Sequence, residues 1–162
     1  MLIVSSAAAY IPSAGMTAYD ASKAGNEHFA SALRQEVAHL GVDVGSAHMG
    51  WIDTPLMREG IEDLSSIREL FTSLPGPLKK STSAQKCADV FVKGIEGRKR
   101  RVNCPGWVGV FRWLKPLLTT SAGESQLAKT VPELLPRMDA EIAALGRSMS
   151  ARTEALEKRT TR

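Results

Sequence analysis

The chain has 162 residues, 43% hydrophobic and 23% charged, with a formal net charge of +4. That is apolar material enough for a buried core, so disorder is not expected, and the basic excess is too mild to point to a nucleic-acid partner. The two cysteines, Cys87 and Cys104, form no C-x-x-C, and no histidine is spaced to join them. Both are therefore expected to be reduced and buried, as in a cytosolic protein, with no metal site.

Positive charge concentrates at Lys79-Lys80, at Arg98-Lys99-Arg100-Arg101 and in the last sixteen residues, with Arg147, Arg152, Lys158, Arg159 and Arg162. These read first as solvated surface and second as an anionic contact. Met1 to Val4 has no basic lead and is too short for a signal peptide, and no window reaches the length of a membrane span. A cytoplasmic protein, at most peripheral to a membrane, is expected.

In chain order, Leu2-Ile3-Val4 is a continuous apolar run that predicts a buried parallel strand, and such a strand this early suggests a truncated version of a larger fold. Thr17-Ala18-Tyr19-Asp20 has the form of a helix start, with Thr17 as N-cap and Asp20 near the positive end of the dipole. The helix is expected to run to about Leu40, burying Phe29, Leu33, Val37 and Leu40, and to stop at Gly41. Val42 to His48 reads as a second strand, which completes a βαβ unit with parallel strands.

After Asp53-Thr54-Pro55, the apolar residues Leu56, Ile61, Leu64, Ile67, Leu70 and Phe71 keep near-helical spacing as far as the break at Pro75-Gly76-Pro77. A cap at Thr82-Ser83-Ala84-Gln85 starts a further helix with Ala84, Ala88, Phe91, Val92 and Ile95 on one face, closed by Gly97. Val102-Asn103-Cys104 predicts a last short strand. Thr130-Val131-Pro132-Glu133 predicts another helix, with Leu134, Met138, Ile142 and Leu145 buried, and a polar, frayed tail follows Gly146.

Tyr19 and Lys23 stand one helical turn apart, so a phenol and an ammonium share one face. An ordinary tyrosine holds its proton too tightly to shuttle it at neutral pH, and a neighbouring cation favours the phenolate. Ser6 ends the first strand and Met49-Gly50 ends the second, on the sheet rim where open α/β folds bind ligands. Ser5 is adjacent, and either serine could face that rim; Ser6 is the preferred one. Ser6 could donate a hydrogen bond to a substrate oxygen while Tyr19 passes it a proton.

Ser6 followed after thirteen residues by Tyr19-Asp20-Ala21-Ser22-Lys23 resembles the strand-end Ser and Y-x-A-S-K motif of the short-chain dehydrogenases/reductases. Met49-Gly50-Trp51-Ile52-Asp53-Thr54 is similar to that family's P-G-x-x-x-T stretch, with Met49 in place of Pro. The resemblance covers residues 1 to 104. It implies an α/β fold, the C-terminal half of a Rossmann-like doubly wound parallel sheet; residues 105–162, beyond it, read as a helical C-terminal extension with a polar basic tail. It also implies NAD or NADP as cofactor, with interconversion of a carbonyl and a secondary alcohol. Tyr19 would be acid/base, Lys23 would assist it and bond the nicotinamide ribose, and Ser6 would polarise the carbonyl. Gly50 belongs to the nicotinamide pocket; Ile52, through its backbone, and Thr54, through its hydroxyl, would meet the carboxamide. The segment from Pro55 to Leu74 would close over substrate, and homo-oligomers are expected of the full-length protein. The family's T-G-x-x-x-G-x-G turn, its residue selecting NAD or NADP and its N-N-A-G segment do not occur here. A non-enzymatic fragment or interaction module unable to bind cofactor is therefore the alternative reading.

Tyr10 has no lysine four residues on and reads as a substrate-side or loop residue, while His28, His39 and His48 read as helix-surface or strand-end residues. Trp51 lines the pocket or packs in the core. Within the apolar run from Trp107 to Leu118, positions 107, 110, 111, 114, 117 and 118 make one helical face, broadened by Trp113. It would pack over the substrate pocket or a subunit partner; or it would rest on a membrane, with Arg98 to Arg101 reaching lipid phosphates. Either case suggests an apolar or lipid-like substrate.

Overall fold

A computed structural model describes residues 1–74, 76–129 and 131–146. The basic residues of the tail, Pro75 and Thr130 lie outside the described residues. Strand β1 (Leu2–Val4) leads through a single 3-10 turn (Ala7–Ala9) to helix α1 (Thr17–Val37) and strand β2 (Gly45–Met49). Then come β3 (Ile52–Asp53), α2 (Pro55–Asp63), α3 (Ser65–Ser73), β4 (Thr82–Ser83), α4 (Ala84–Glu96) and β5 (Arg101–Cys104). Helices α5 (Val108–Leu118), α6 (Ser121–Ala128) and α7 (Val131–Leu145) complete the described chain.

The main sheet has the order β1-β2-β5, all parallel, with Ile3 opposite Ser46 and His48 opposite Asn103. This is the α/β, parallel-sheet arrangement expected of a Rossmann-like half. A second, two-stranded parallel sheet pairs β3 with β4, which strands of two residues do not announce in sequence. At the head of β2, Gly45 runs against the Lys99 carbonyl so closely that a Cβ there would collide with backbone.

Several local expectations change on contact with the fold. The N-cap of α1 is Met16, with no side-chain cap, and Thr17 is the first helical residue. Asp20 instead accepts the Ser13 N–H at 2.6 Å, which ties down the loop that enters the helix. The α-helix proper ends at Val37 and tightens into a 3-10 turn through Leu40, after which Gly41 takes the left-handed conformation (φ 70°) that only glycine adopts without strain. Phe29 and Leu40 are exposed, because the face that α1 lays on the sheet is centred on Ala30 and carries Glu27 and Arg34. Arg34 explains how a polar face can do this. Its Nε donates to the Val44 carbonyl at 2.5 Å and its Nη2 to the Arg100 carbonyl at 3.2 Å, locking α1 across the approaches to β2 and β5.

The second strand starts at Gly45, three residues later than its apolar pattern suggests, since Val42 is exposed. Ser83, not Thr82, caps α4, accepting the Lys86 N–H at 3.3 Å. Cys87 and Gly94 form the buried side of α4, whereas Ala84, Ala88, Val92 and Ile95 face outward. Cys87 and Cys104 are free thiols and buried, as expected.

Helices α2 and α3 fill the span read as a cover, and α3 is held by α7. Glu141 accepts hydrogen bonds from the Ser65 hydroxyl and from Ser66 N–H (3.1 Å) and Oγ (2.6 Å), which hold its carboxyl down to about 2. Arg137 adds an ion pair to Glu69 at 2.8 Å. In α7, Met138 is buried and Leu145 is 37% exposed, so the predicted stripe frays at its end.

Candidate active site

A cavity of about 210 Å³ opens at the carboxyl ends of β1 and β2. Ser6, Tyr19, Asp20, Met49, Gly50 and Trp51 share its wall with Leu74, Trp107 and Phe111. Three stretches separated in sequence thus meet at the rim where an open parallel sheet places its ligands.

The two adjacent serines part company here. Ser5 is buried, and its hydroxyl donates to the Lys23 carbonyl at 2.7 Å, pinning α1 to the end of β1. Ser6 lines the cavity: its Oγ accepts the Ala8 N–H at 3.2 Å and reaches the Met49 carbonyl only at 3.5 Å. A contact that long holds the Ser6 proton loosely, so the hydroxyl can turn to a bound oxygen. Tyr19 is 41% exposed, which leaves its hydroxyl open to a substrate. The Lys23 ammonium sits 5.3 Å from the Tyr19 ring centroid and makes no ion pair among the described residues.

Gly50 is on the wall, its N–H donated to the Cys104 carbonyl at 2.9 Å. Ile52 and Thr54 are not on it: Ile52 pairs with Thr82, and Thr54 Oγ1 accepts the Met57 N–H at 3.3 Å as the cap of α2. Trp51 lines the cavity and meets Phe71 of α3 edge to face at 5.4 Å, so the aromatic pair joins the rim to its cover.

Two residues are more deeply buried than their sequence reading, as a substrate-side or loop residue and a strand-end residue, implied. Tyr10 is not on the substrate side. It is buried between Val108 and His48, with its hydroxyl donating to Glu27 at 3.4 Å, and burial with Glu27 pushes its pKa up to about 12. His48 ends a strand as expected but is fully buried and stacks on Tyr10 at 4.6 Å. Its Nδ1 lies 3.3 Å from the Ser6 carbonyl and its Nε2 3.0 Å from Ser46 Oγ. A carbonyl can only accept, so Nδ1 carries the proton and Nε2 accepts from the Ser46 hydroxyl. No spacing rule signals such a residue, because its partners come from the cap of the turn after β1 and from its own strand.

Burial lowers the His48 pKa from its ordinary 6.5. The unfolded chain takes up a proton near that pH which the folded chain refuses, so stability present above it falls as pH drops below it. The expected result is a urea midpoint that declines between about pH 7.5 and about pH 5.5, with most of the decline removed in His48→Gln. An unchanged decline in the variant would place the titration elsewhere.

Sequence reasoning gave Asp20 only a dipole role. One of its carboxylate oxygens is spent on Ser13, while Oδ1 is buried without a partner, and burial raises the Asp20 pKa. Among the described residues it is the one carboxylate on the cavity wall. The face drawn from Trp107 to Leu118 also divides: Trp107 and Phe111 line the cavity, whereas Val110, Leu114 and Leu117 join Trp113 on the outside.

Among curated proteins, none matches the chain. The family model for short chain dehydrogenases matches residues 1–65. Ser6, Tyr19, Lys23, Gly50 and the strands and helix that place them all fall within that match, so this part of the chain is similar to the short-chain dehydrogenases, an oxidoreductase family.

Proposed function

We propose that this chain carries the proton-transfer half of an NAD(P)(H)-dependent oxidoreductase that interconverts a carbonyl and a secondary alcohol on an apolar substrate. The observation that carries the reading is the convergence of Ser6 and Tyr19 on one largely apolar cavity, with the Lys23 ammonium, in no ion pair among the described residues, against the tyrosine ring.

The residues present fit the nicotinamide end of such a cofactor. Lys23, with no carboxylate to neutralise it among the described residues, is left to bond ribose hydroxyls, and Thr54 Oγ1, an acceptor in its cap, keeps a proton to donate to a carboxamide. Ile52 offers backbone groups beside it. When bound, the cofactor supplies or takes the hydride.

In the reducing direction, Ser6 donates to the carbonyl oxygen and polarises it. Tyr19 delivers its hydroxyl proton to that oxygen as charge develops there, and the Lys23 ammonium stabilises the phenolate left behind. Trp51, Trp107, Phe111 and Leu74 exclude water from the reacting oxygen.

The test is reduced-cofactor oxidation by the protein with a panel of ketones of graded apolar size. Turnover that rises with apolar size supports the reading. Saturable cofactor binding with no turnover on any ketone or alcohol would overturn the carbonyl chemistry, and no binding of NADH or NADPH would favour the interaction-module alternative.

A further inference from the structure

The outer face of α5 has no role in the site just described. Val110, Trp113, Leu114 and Leu117 follow the i, i+3, i+4, i+7 spacing of one helical stripe, and they are 54%, 75%, 38% and 65% exposed. The opposite side of the same helix is committed to the body of the protein: Val108 is fully buried in the Ala9–Tyr10 cluster, Trp107 and Phe111 pack against it, and Lys115 donates to the Ala9 carbonyl at 2.9 Å. The stripe therefore points away from the fold and cannot be turned inward.

Charge identifies what it meets. From Gly97 to Gly123 the chain carries six Lys or Arg and no Asp or Glu. Arg98 and Arg101 are paired, with Asp43 and Glu27; Lys99, Arg100, Arg112 and Lys115 have no carboxylate partner among the described residues. Arg101, Arg112 and Lys115 line one recess beside α5, together with Glu27, His28 and Ser31, and the Arg112 guanidinium stacks on the Trp113 ring at 4.9 Å. A second copy docked through this stripe would bring the Arg112 guanidinium beside Trp113 against its own kind, and Glu27 of the recess is already paired with Arg101. A lipid surface with anionic headgroups satisfies both features, taking the apolar stripe among its acyl chains and the Arg112 guanidinium beside Trp113 at its phosphates.

We propose that α5 is an in-plane anchor that seats the protein on an anionic lipid surface through Val110, Trp113, Leu114 and Leu117. No described helix is long and apolar enough to cross a membrane, so the contact is one of lying on the surface. The inner side of α5, at Trp107 and Phe111, is a wall of the cavity, so an anchored protein would hold that cavity beside the lipid phase. The anchor stands on the exposure and charge of α5 and does not depend on hydride transfer.

The test is flotation of the protein with vesicles of phosphatidylcholine containing about one quarter phosphatidylglycerol, against phosphatidylcholine alone. Binding should favour the anionic vesicles, weaken with added salt, and fall on the order of tenfold or more in Trp113→Glu and in Leu117→Glu. Both positions are exposed, so the variants should keep the wild-type thermal unfolding profile; Val92→Glu, on the exposed side of α4, is the control that should float unchanged. No preference for anionic vesicles, or equal flotation of the α5 variants and wild type, would overturn the proposal. So would a dimer that Trp113→Glu dissociates while vesicles are ignored, which would assign the stripe to a second copy.

Discussion

Replacing Tyr19 with phenylalanine is expected to lower turnover roughly 100- to 10,000-fold while leaving reduced-cofactor binding within a fewfold of wild type. The substitution removes one oxygen and keeps the ring, and with it the packing and the cation at 5.3 Å from the centroid. Position 19 is 41% exposed at the cavity mouth, so no buried polar partner is orphaned by the change. The loss should therefore fall on kcat rather than on stability. Steady-state kinetics and thermal unfolding of the same preparation separate the two, and near-normal kcat would remove Tyr19 from the proton-transfer step.

The largest expected effect on stability comes from a residue with no chemistry. Gly45→Ala should destabilise the fold by about 2–4 kcal/mol, because the added Cβ is driven into the Lys99 carbonyl and not into a side chain that could rotate away. Gly45 stands at the head of the central strand, between β1 and the lead-in to β5, where its N–H donates to the Met1 carbonyl at 2.9 Å. Relief requires one strand to shift and with it the register that sets Ser6 beside Met49. Urea unfolding measures the effect. A change within about 0.5 kcal/mol would show that the approach of Lys99 is soft. Gly60, where an added Cβ meets nothing, is the contrasting site at which alanine should be neutral or mildly stabilising.

The strand–helix–strand unit was legible because its signals are local. An apolar triplet, a long helix with a glycine stop and a second strand can each be read within a short window. The position of Tyr19 and Lys23 on one helical face follows from the same periodicity. What escaped was set by groups distant in sequence. Arg34 lets a polar face of α1 lie on the sheet by donating to two carbonyls, so the apolar stripe through Phe29 proved a poor guide to burial. His48 and Tyr10 support Ser6 through a stack and a carbonyl contact between β2 and the 3-10 turn after β1, which no spacing encodes. Helix α5 is apolar nearly all round, and only the fold shows which side meets the cavity and which is left outside.

The central claim is that hydride reaches a substrate carbonyl at the cavity shared by Ser6 and Tyr19. The most direct measurement uses reduced nicotinamide cofactor carrying deuterium at its transferable position, followed by mass spectrometry of the alcohol formed from an apolar ketone. One deuterium on the carbinol carbon is expected, with label transfer lost in Tyr19→Phe. Alcohol formed without label, or labelled alcohol formed equally by the variant, would contradict it.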